Sequence, residues 1–458
     1  MPNLSLRSWF EIILYMSYLS IGNIAYADIN SNREQSGSPS THKVNEKELD
    51  SPPRAVRGNR NVEDLLEEAW KFLLLKDFDR ASQLAKAAYR GAKNGDIKFT
   101  AARLNAKALA SQGKRTLAQL WLRKSRQFAP NQILANEIAH DYRFLANQKR
   151  WSTRFRFNIS PSSNINNGSI NELVPLFGLV TATGEAALFE LSGDALALSG
   201  LEISGGFTSS YRLRTTAKSA TFFNIDGDAR SYVLSDEAQS MAPEAKGSDF
   251  SEVALGFGLT HRQILMEGAQ PTSFSARLGQ TWYGGNSYSR TYDLAVSHDW
   301  ALNSQRLVGL KLVAQQRESL TGSDPVRTYG IAGNLVQGFG NGDQLSLGLA
   351  LRDARSDAVD SDFDSAQLSL RYSLGKPIAG VSLAFGITFE ERNFDASTYG
   401  VGSRKDQLTT INLSAQLNNV EYYGFQPVIS FQAARNNSTL DLFERRYTSI
   451  GLNLSSSF

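Results

Sequence analysis

From Trp151 to the last residue, apolar side chains recur at every second position in segments of about ten residues, with Gly, Asn, Asp and Ser clustered between them. The clearest runs are Val253-Leu255-Phe257-Leu259, Leu345-Leu347-Leu349-Leu351 and Val381-Leu383-Phe385-Ile387-Phe389. A period of two is the repeat of side chains on one face of a strand. Fourteen such segments are predicted, at 152–160, 196–213, 217–227, 249–261, 272–283, 288–300, 306–317, 326–339, 343–353, 364–374, 379–391, 406–417, 425–435 and 443–458. An even number of strands is what a single-chain bacterial membrane barrel requires. The exits from the first, third and eleventh strands (162–195, 228–248 and 392–405) are long, whereas RTTAK, ALNSQ and GNGD make short turns. Membrane barrels have that asymmetry, with long loops outside and short turns in the periplasm.

The positions between the Leu and Phe runs are small or polar: Glu252, Ala254, Gly256 and Gly258; Gln344, Ser346, Gly348 and Ala350; Ser382, Ala384, Gly386 and Thr388. In a soluble sandwich that face meets water and usually carries larger charged residues. In a barrel it faces the lumen, which small residues are expected to leave open. Trp151, Trp282, Tyr283, Trp300, Tyr422, Tyr423 and Tyr447 lie near strand ends, as interfacial girdles do. The chain closes on GLNLSSSF, with Ile450, Leu452, Leu454, Ser456 and Phe458 on one face. A last strand must pair with the first, because an open edge in lipid leaves backbone groups unsatisfied. A terminal Phe458 on the lipid face fits a barrel-assembly signal.

The rest of the chain divides by composition. Residues 1–27 read as a signal peptide, with a mostly apolar stretch from Ile12 to Ile24 before Ala25-Tyr26-Ala27. Residues 28–60, rich in Ser, Asn, Pro and mixed charge, read as a flexible linker. Residues 61–148 carry helical spacing and repeat at an offset of 37: Ala69, Phe72, Ala81 and Ala88 correspond to Ala106, Leu109, Ala118 and Ser125. That resembles tetratricopeptide repeats, whose period is ~34, against the alternative of an ordinary helical bundle. Asn61 and Asn131 are expected to cap the first and fifth helices. Arg115, Arg123, Lys124 and Arg126 crowd one helix pair, either as a solvated face or as a docking face for a polypeptide or anionic headgroups.

The expected fold class is therefore α+β multidomain: N-terminal helical repeats, then a transmembrane antiparallel β-barrel of about 14 strands over residues 151–458. An outer-membrane location follows, with the helical domain in the periplasm. A net charge of +3 argues against nucleic acid, and the absence of cysteine excludes disulfides and thiol chemistry. His42, His140, His261 and His298 lack metal or catalytic spacing. Asp360-x-Asp362-x-Asp364 opens like a calcium loop, but Ser365 and Arg371 stand where Gly and an acid are needed, so it reads as a solvated extracellular loop. Neither an enzyme nor a cofactor is expected.

Two stretches carry a family resemblance. SPSSNINNGS after the first strand holds Asn164, Asn166 and Asn167, and RNNSTLDLFERRYTSIGLNLSSSF holds Arg435, Asn436, Ser438, Phe443, Glu444, Arg445, Arg446 and Tyr447. Together with a helical module ahead of a barrel, they resemble the surface lipoprotein assembly modulator (Slam) family. Ser163 stands where that pattern leads one to expect an acid. The resemblance implies a translocon or assembly factor that delivers surface lipoproteins or related secreted proteins, with client protein, outer-membrane lipid and the barrel-assembly machinery as partners. The rivals are a polysaccharide exporter, which should line its lumen with aromatic platforms, and a solute porin, for which Arg352 and Glu390 are candidate constriction charges.

Overall fold

A computed structural model describes residues 60–456 apart from 268, 421, 423 and 424. The expected signal peptide, most of the linker, Tyr423 and Phe458 lie outside the described residues. The chain forms two compact units, one helical and one barrel.

The helical unit comprises α1 (Arg60–Leu74), α2 (Phe78–Gly91), α3 (Gly95–Ser111), α4 (Arg115–Gln127) and α5 (Gln132–Gln148). Short polar side chains start several of them: Asp77 Oδ1 accepts from Arg80 N, Asn94 Oδ1 from Asp96 N and Asn131 Oδ1 from Leu134 N. Asn131 is thus the cap the sequence predicts. Asn61 is not, because α1 already begins at Arg60. Small residues let the helices approach closely. Ala69, Ala81, Ala88, Ala106, Ala118 and Ser125 are all buried, so five of the six small residues that carry the repeat pack as apolar contacts. The sixth, Ser125, donates its hydroxyl to Phe99 O. Among the described residues no helix is long and apolar enough to cross a membrane.

The barrel unit opens with β1 (Trp151–Ser162), followed by a hairpin of β2 (Leu173–Val180) and β3 (Ala186–Glu190) that stands outside the ring. The ring continues through β4 (Gly200–Thr215), β5 (Ser219–Leu234), β6 (Glu252–Gln263), β7 (Thr272–Tyr283), β8 (Asn286–Ala301) and β9 (Arg306–Ser319). It is completed by β10 (Val326–Gly338), β11 (Gln344–Arg355), β12 (Phe363–Ser373), β13 (Val381–Phe394), β14 (Arg404–Leu417), β15 (Phe425–Ser438) and β16 (Arg445–Ser456). Fourteen strands close because β16 pairs antiparallel with β1, Ile159 opposite Leu452. Each ring strand falls on an expected segment. The largest shift is β5, which runs to Leu234 instead of 227. The β2–β3 hairpin was not expected; it lies inside the long connection after the first strand.

Loop asymmetry is weaker than the sequence suggests. The connection 163–199 and the connection 235–251, which holds the short helix α6 (Asp236–Met241), lie at one end, hereafter the loop end. At that same end β7 turns into β8 through Gly284 and Gly285 alone, both at positive φ. The other end, the turn end, is where the chain enters β1. The outward face is apolar and exposed around the ring, as at Phe155, Phe257, Leu294, Leu312, Leu349, Phe389, Leu413 and Leu452. A band of this kind on a closed ring is the lipid-facing surface of a membrane barrel. Trp151, Trp300 and Tyr422 lie exposed at the turn end, as girdle residues should. Tyr283 and Tyr447 do not belong to a girdle. Each sits at the opposite parity, alongside inward residues such as Arg277 and Arg445, and therefore faces the lumen.

Candidate functional site: the loop end and the closing seam

The two stretches that carry the family resemblance meet at the loop end, although more than 250 residues separate them. Asn164 Nδ2 donates to Gly168 O at 3.0 Å and Arg446 O at 3.3 Å, and Gly168 N returns a bond to Asn164 Oδ1. Asn166 is 1% exposed; its Nδ2 donates to Asp194 O and Leu196 O, and its Oδ1 accepts from Leu198 N. An amide side chain that uses all these bonds substitutes for a strand ladder where the backbone is irregular. Asn167 takes a left-handed conformation at φ 54°. Gly168 follows because a Cβ there would lie 2.1 Å from Leu196 O. The Asn-rich segment is therefore a staple that folds the first connection.

Its counterpart is the closing hairpin. Asn436 Nδ2 donates to Phe443 O at 2.8 Å across the β15–β16 turn. Phe443 is buried with Leu442, Tyr399, Val174, Leu176 and Leu191, so three separate connections share one apolar cluster. A second cluster joins Ile165 and Leu198 to Leu234, Ala238, Ala242 and Phe250. Polar bonds tie the stretches directly: Ile170 N to Glu444 O, Asn171 Nδ2 to Asp441 O, and Ser163 N to Thr448 O. Ser163 Oγ accepts from Thr448 N, which gives this departure from the family pattern a role at the seam. Burial raises the Asp194 carboxyl above its ordinary value, with nearby Asp249 adding to the effect.

The predicted site residues thus separate. Asn164, Asn166, Asn436, Phe443 and Arg445 converge. Arg435 points outward and is exposed, one residue from inward Asn436. On α4 the four basic residues are not one open face. Arg115 is exposed, but Arg123, Lys124 and Arg126 are half-buried. Arg123 Nη2 donates to Tyr142 Oη at 3.0 Å, and Lys124 Nζ lies 4.3 Å from the Trp121 ring centre.

The lumen itself differs from the expectation of an open, small-residue channel. Arg277 pairs with Asp226 at 2.6 Å and Asp293 at 3.2 Å, and Arg156 forks onto Asp228. Glycines on neighbouring strands make room for these side chains: a Cβ on Gly256 would lie 2.3 Å from Arg277 Nη2. Toward the loop end Arg352 and Glu390 are 3.5 Å apart on the same wall, two strands from each other. They are an ion pair, not facing rows of a constriction. Arg392 donates to the same Glu390 at 2.9 Å. Arg404 is held between the Phe394 and Phe443 rings, 3.6 and 3.9 Å from their centres, and pairs with Asp360.

The acids of the apparent calcium loop are arginine partners, not simply solvated. Asp360 meets Arg404, while Asp362 and Asp364 meet Arg355. Sequence reasoning missed Arg392, Arg404 and Asp406. The available signal was their inward parity at the ends of β13 and β14.

A family model described as surface lipoprotein assembly modifier matches residues 151–458. A comparison with curated proteins gave no match. Solved structures similar to this chain include a BenF-like porin from Pseudomonas fluorescens Pf-5, at 8% identity and TM-score 0.33, covering 67% of this chain and 98% of the porin. A loop-deletion form of OmpT from Vibrio cholerae has 9% identity, TM-score 0.33 and coverage of 67% and 99%. CdiB from Acinetobacter baumannii has 12% identity, TM-score 0.39 and coverage of 67% and 60%.

Proposed function

The chain belongs to the family of surface lipoprotein assembly modifiers and forms an outer-membrane β-barrel with a role in lipoprotein assembly or transport, and from that premise we propose that it delivers client lipoproteins from the periplasm to the cell surface. The observation that carries this reading is the family match across the whole barrel, in a chain that also bears a helical unit before β1. The helical unit is the periplasmic receiver, built of repeat-like helix pairs, and α4 with Arg115 is its docking edge. Delivery is a non-enzymatic task that uses binding and passage, in cooperation with the barrel-assembly machinery and membrane lipid. The test is protease treatment of intact cells with and without the gene, read by mass spectrometry. A lipoprotein that becomes protease-sensitive only when the protein is present is the expected result. No protein changing sides would overturn the reading.

Pro161 favours passage along the β1–β16 seam over passage through the lumen. Ser163 N donates to Thr448 O, so odd residues of β1 turn their backbone groups toward β16. The register sets Pro161 opposite Ile450, and proline has no N–H to donate there. The closing ladder therefore lacks a bond that a client strand need not break, a route of β-augmentation. The protein has no native cysteine, so Asn158→Cys with Asn453→Cys, register partners on the lumen side, would lock the seam selectively. Export should stop on oxidation and return on reduction. Unchanged export in the locked barrel would leave the lumen as the route.

A further inference from the structure

One row of inward positions at the loop end carries more positive charge than its partners neutralise. The strand registers set Arg352 beside Ser365, Ser365 beside Arg392, and Arg392 beside Asp406. Arg404 stands next to the row on β14, and Arg445 opens β16. Rings connect them: Arg392 lies over Phe363, Phe363 packs on Phe394, Arg404 fills the space between Phe394 and Phe443, and Arg445 faces Phe443. Four guanidinium groups (Arg352, Arg392, Arg404, Arg445) meet three carboxylates (Glu390, Asp406, Asp360), a difference of 4 − 3 = +1.

Burial makes that surplus costly. Ser365, Arg392 and Arg445 are 6%, 3% and 7% exposed. Arg392 Nη2, Arg445 Nε and Nη1 and Ser365 Oγ have no hydrogen-bond partner among the described residues, while Arg352 Nη1 has only the long 3.5 Å pair with Glu390. Two acceptors, Asp406 Oδ2 and Asn436 Oδ1, are likewise without a hydrogen bond, but donors outnumber them. A buried guanidinium with idle N–H groups is stabilised only by an anion or by water that reaches those groups.

We propose that this row binds a small tetrahedral oxyanion of the phosphate or sulfate class. The idle donors come from β12, β13 and β16, with Ser365 and Arg392 directly opposite each other in register. A tetrahedral ion offers oxygens to all of them, whereas a carboxylate offers two in one plane. The positions face the lumen, which selects a water-soluble ion over a lipid headgroup. The bound ion ties Arg445 of the closing hairpin to the β12–β13 wall. This inference is independent of the delivery reading above, since it concerns the barrel alone.

The test uses the full-length protein in a non-ionic detergent at constant ionic strength set with chloride. Inorganic phosphate and sulfate are titrated, with acetate as the planar control, and both heat of binding and thermal midpoint are recorded. A ligand that binds only the folded barrel raises the midpoint in a saturable way. Phosphate or sulfate should do so and acetate should not. R392Q and R445Q should weaken binding at least tenfold, and S365A a few-fold. Should R445Q fail to assemble, R392Q and S365A carry the test, since each leaves Arg445 in place. Equal response to acetate, no saturable response, or full phosphate binding by R392Q would overturn the proposal.

Discussion

Midway along the lumen, Arg156 and Arg277 pair with Asp228, Asp226 and Asp293 while their side chains stay 45% and 32% exposed. At the loop end, Arg392, Arg404 and Arg445 pair or stack with less than a tenth of their surface exposed. Both regions use arginine, carboxylate and glycine on the inward face of the same ring. They differ in water. Screened pairs midway contribute little to stability and tune the field of the passage. The loop end is packed like a protein core, so charge there either finds a partner or destabilises. The inward charges are therefore packed where the connections knit together and partly exposed midway along the lumen.

Four substitutions would break or sharpen this contrast. Phe443→Ala should have the largest effect, because it empties a fully buried ring site shared by three connections and uncovers Arg404. A loss of about 3–5 kcal/mol is expected for such a cavity, measured as a fall in the unfolding midpoint of the purified barrel. Asn166→Ala comes next. It leaves Asp194 O, Leu196 O and Leu198 N without their side-chain partner, at about 1–3 kcal/mol for a buried group. Its signature is local: faster hydrogen exchange and new protease cleavage within 163–199, with the ring intact.

Arg277→Ala should be milder. Its pairs are partly open to water, so a change of about 1 kcal/mol or less in stability is expected. The lumen would instead gain the field of two unmatched aspartates, and the reversal potential of the reconstituted barrel should shift toward cations. A stability loss as large as that of Phe443→Ala would erase the distinction between the two regions. The smallest effect concerns pH. Burial raises Asp194, so between its ordinary value and the raised one the folded state holds a proton that the unfolded state has released. Stability of the first connection should then rise as pH falls through the raised folded value toward the ordinary value of 3.8, and level off below it. Asp194→Asn should flatten that dependence in exchange measurements without altering the ring.

The ring was legible because alternation is a local property. Each strand declares its two faces within ten or so residues, and the outward Leu and Phe positions follow from parity alone. The Asn131 cap was legible for the same reason. The site was legible only as isolated stretches. Asn164 and Asn436 could be singled out, but a sequence does not state that an amide near residue 164 reaches the carbonyl of Arg446.

Register and closure decided the rest. The small inward residues suggested an open lumen, yet Gly256 is small because Arg277 crosses it from the next strand. Tyr283 and Tyr447 looked like girdle residues by position along the strand, and parity turned them inward. Asp360 read as part of a solvated loop, whereas the fold brings Arg404 to 2.9 Å from it. By itself the sequence determined which residues face lipid, because that depends on neighbours two positions away. Only the tertiary structure decided which charges meet, because strands far apart in sequence become adjacent when the ring closes.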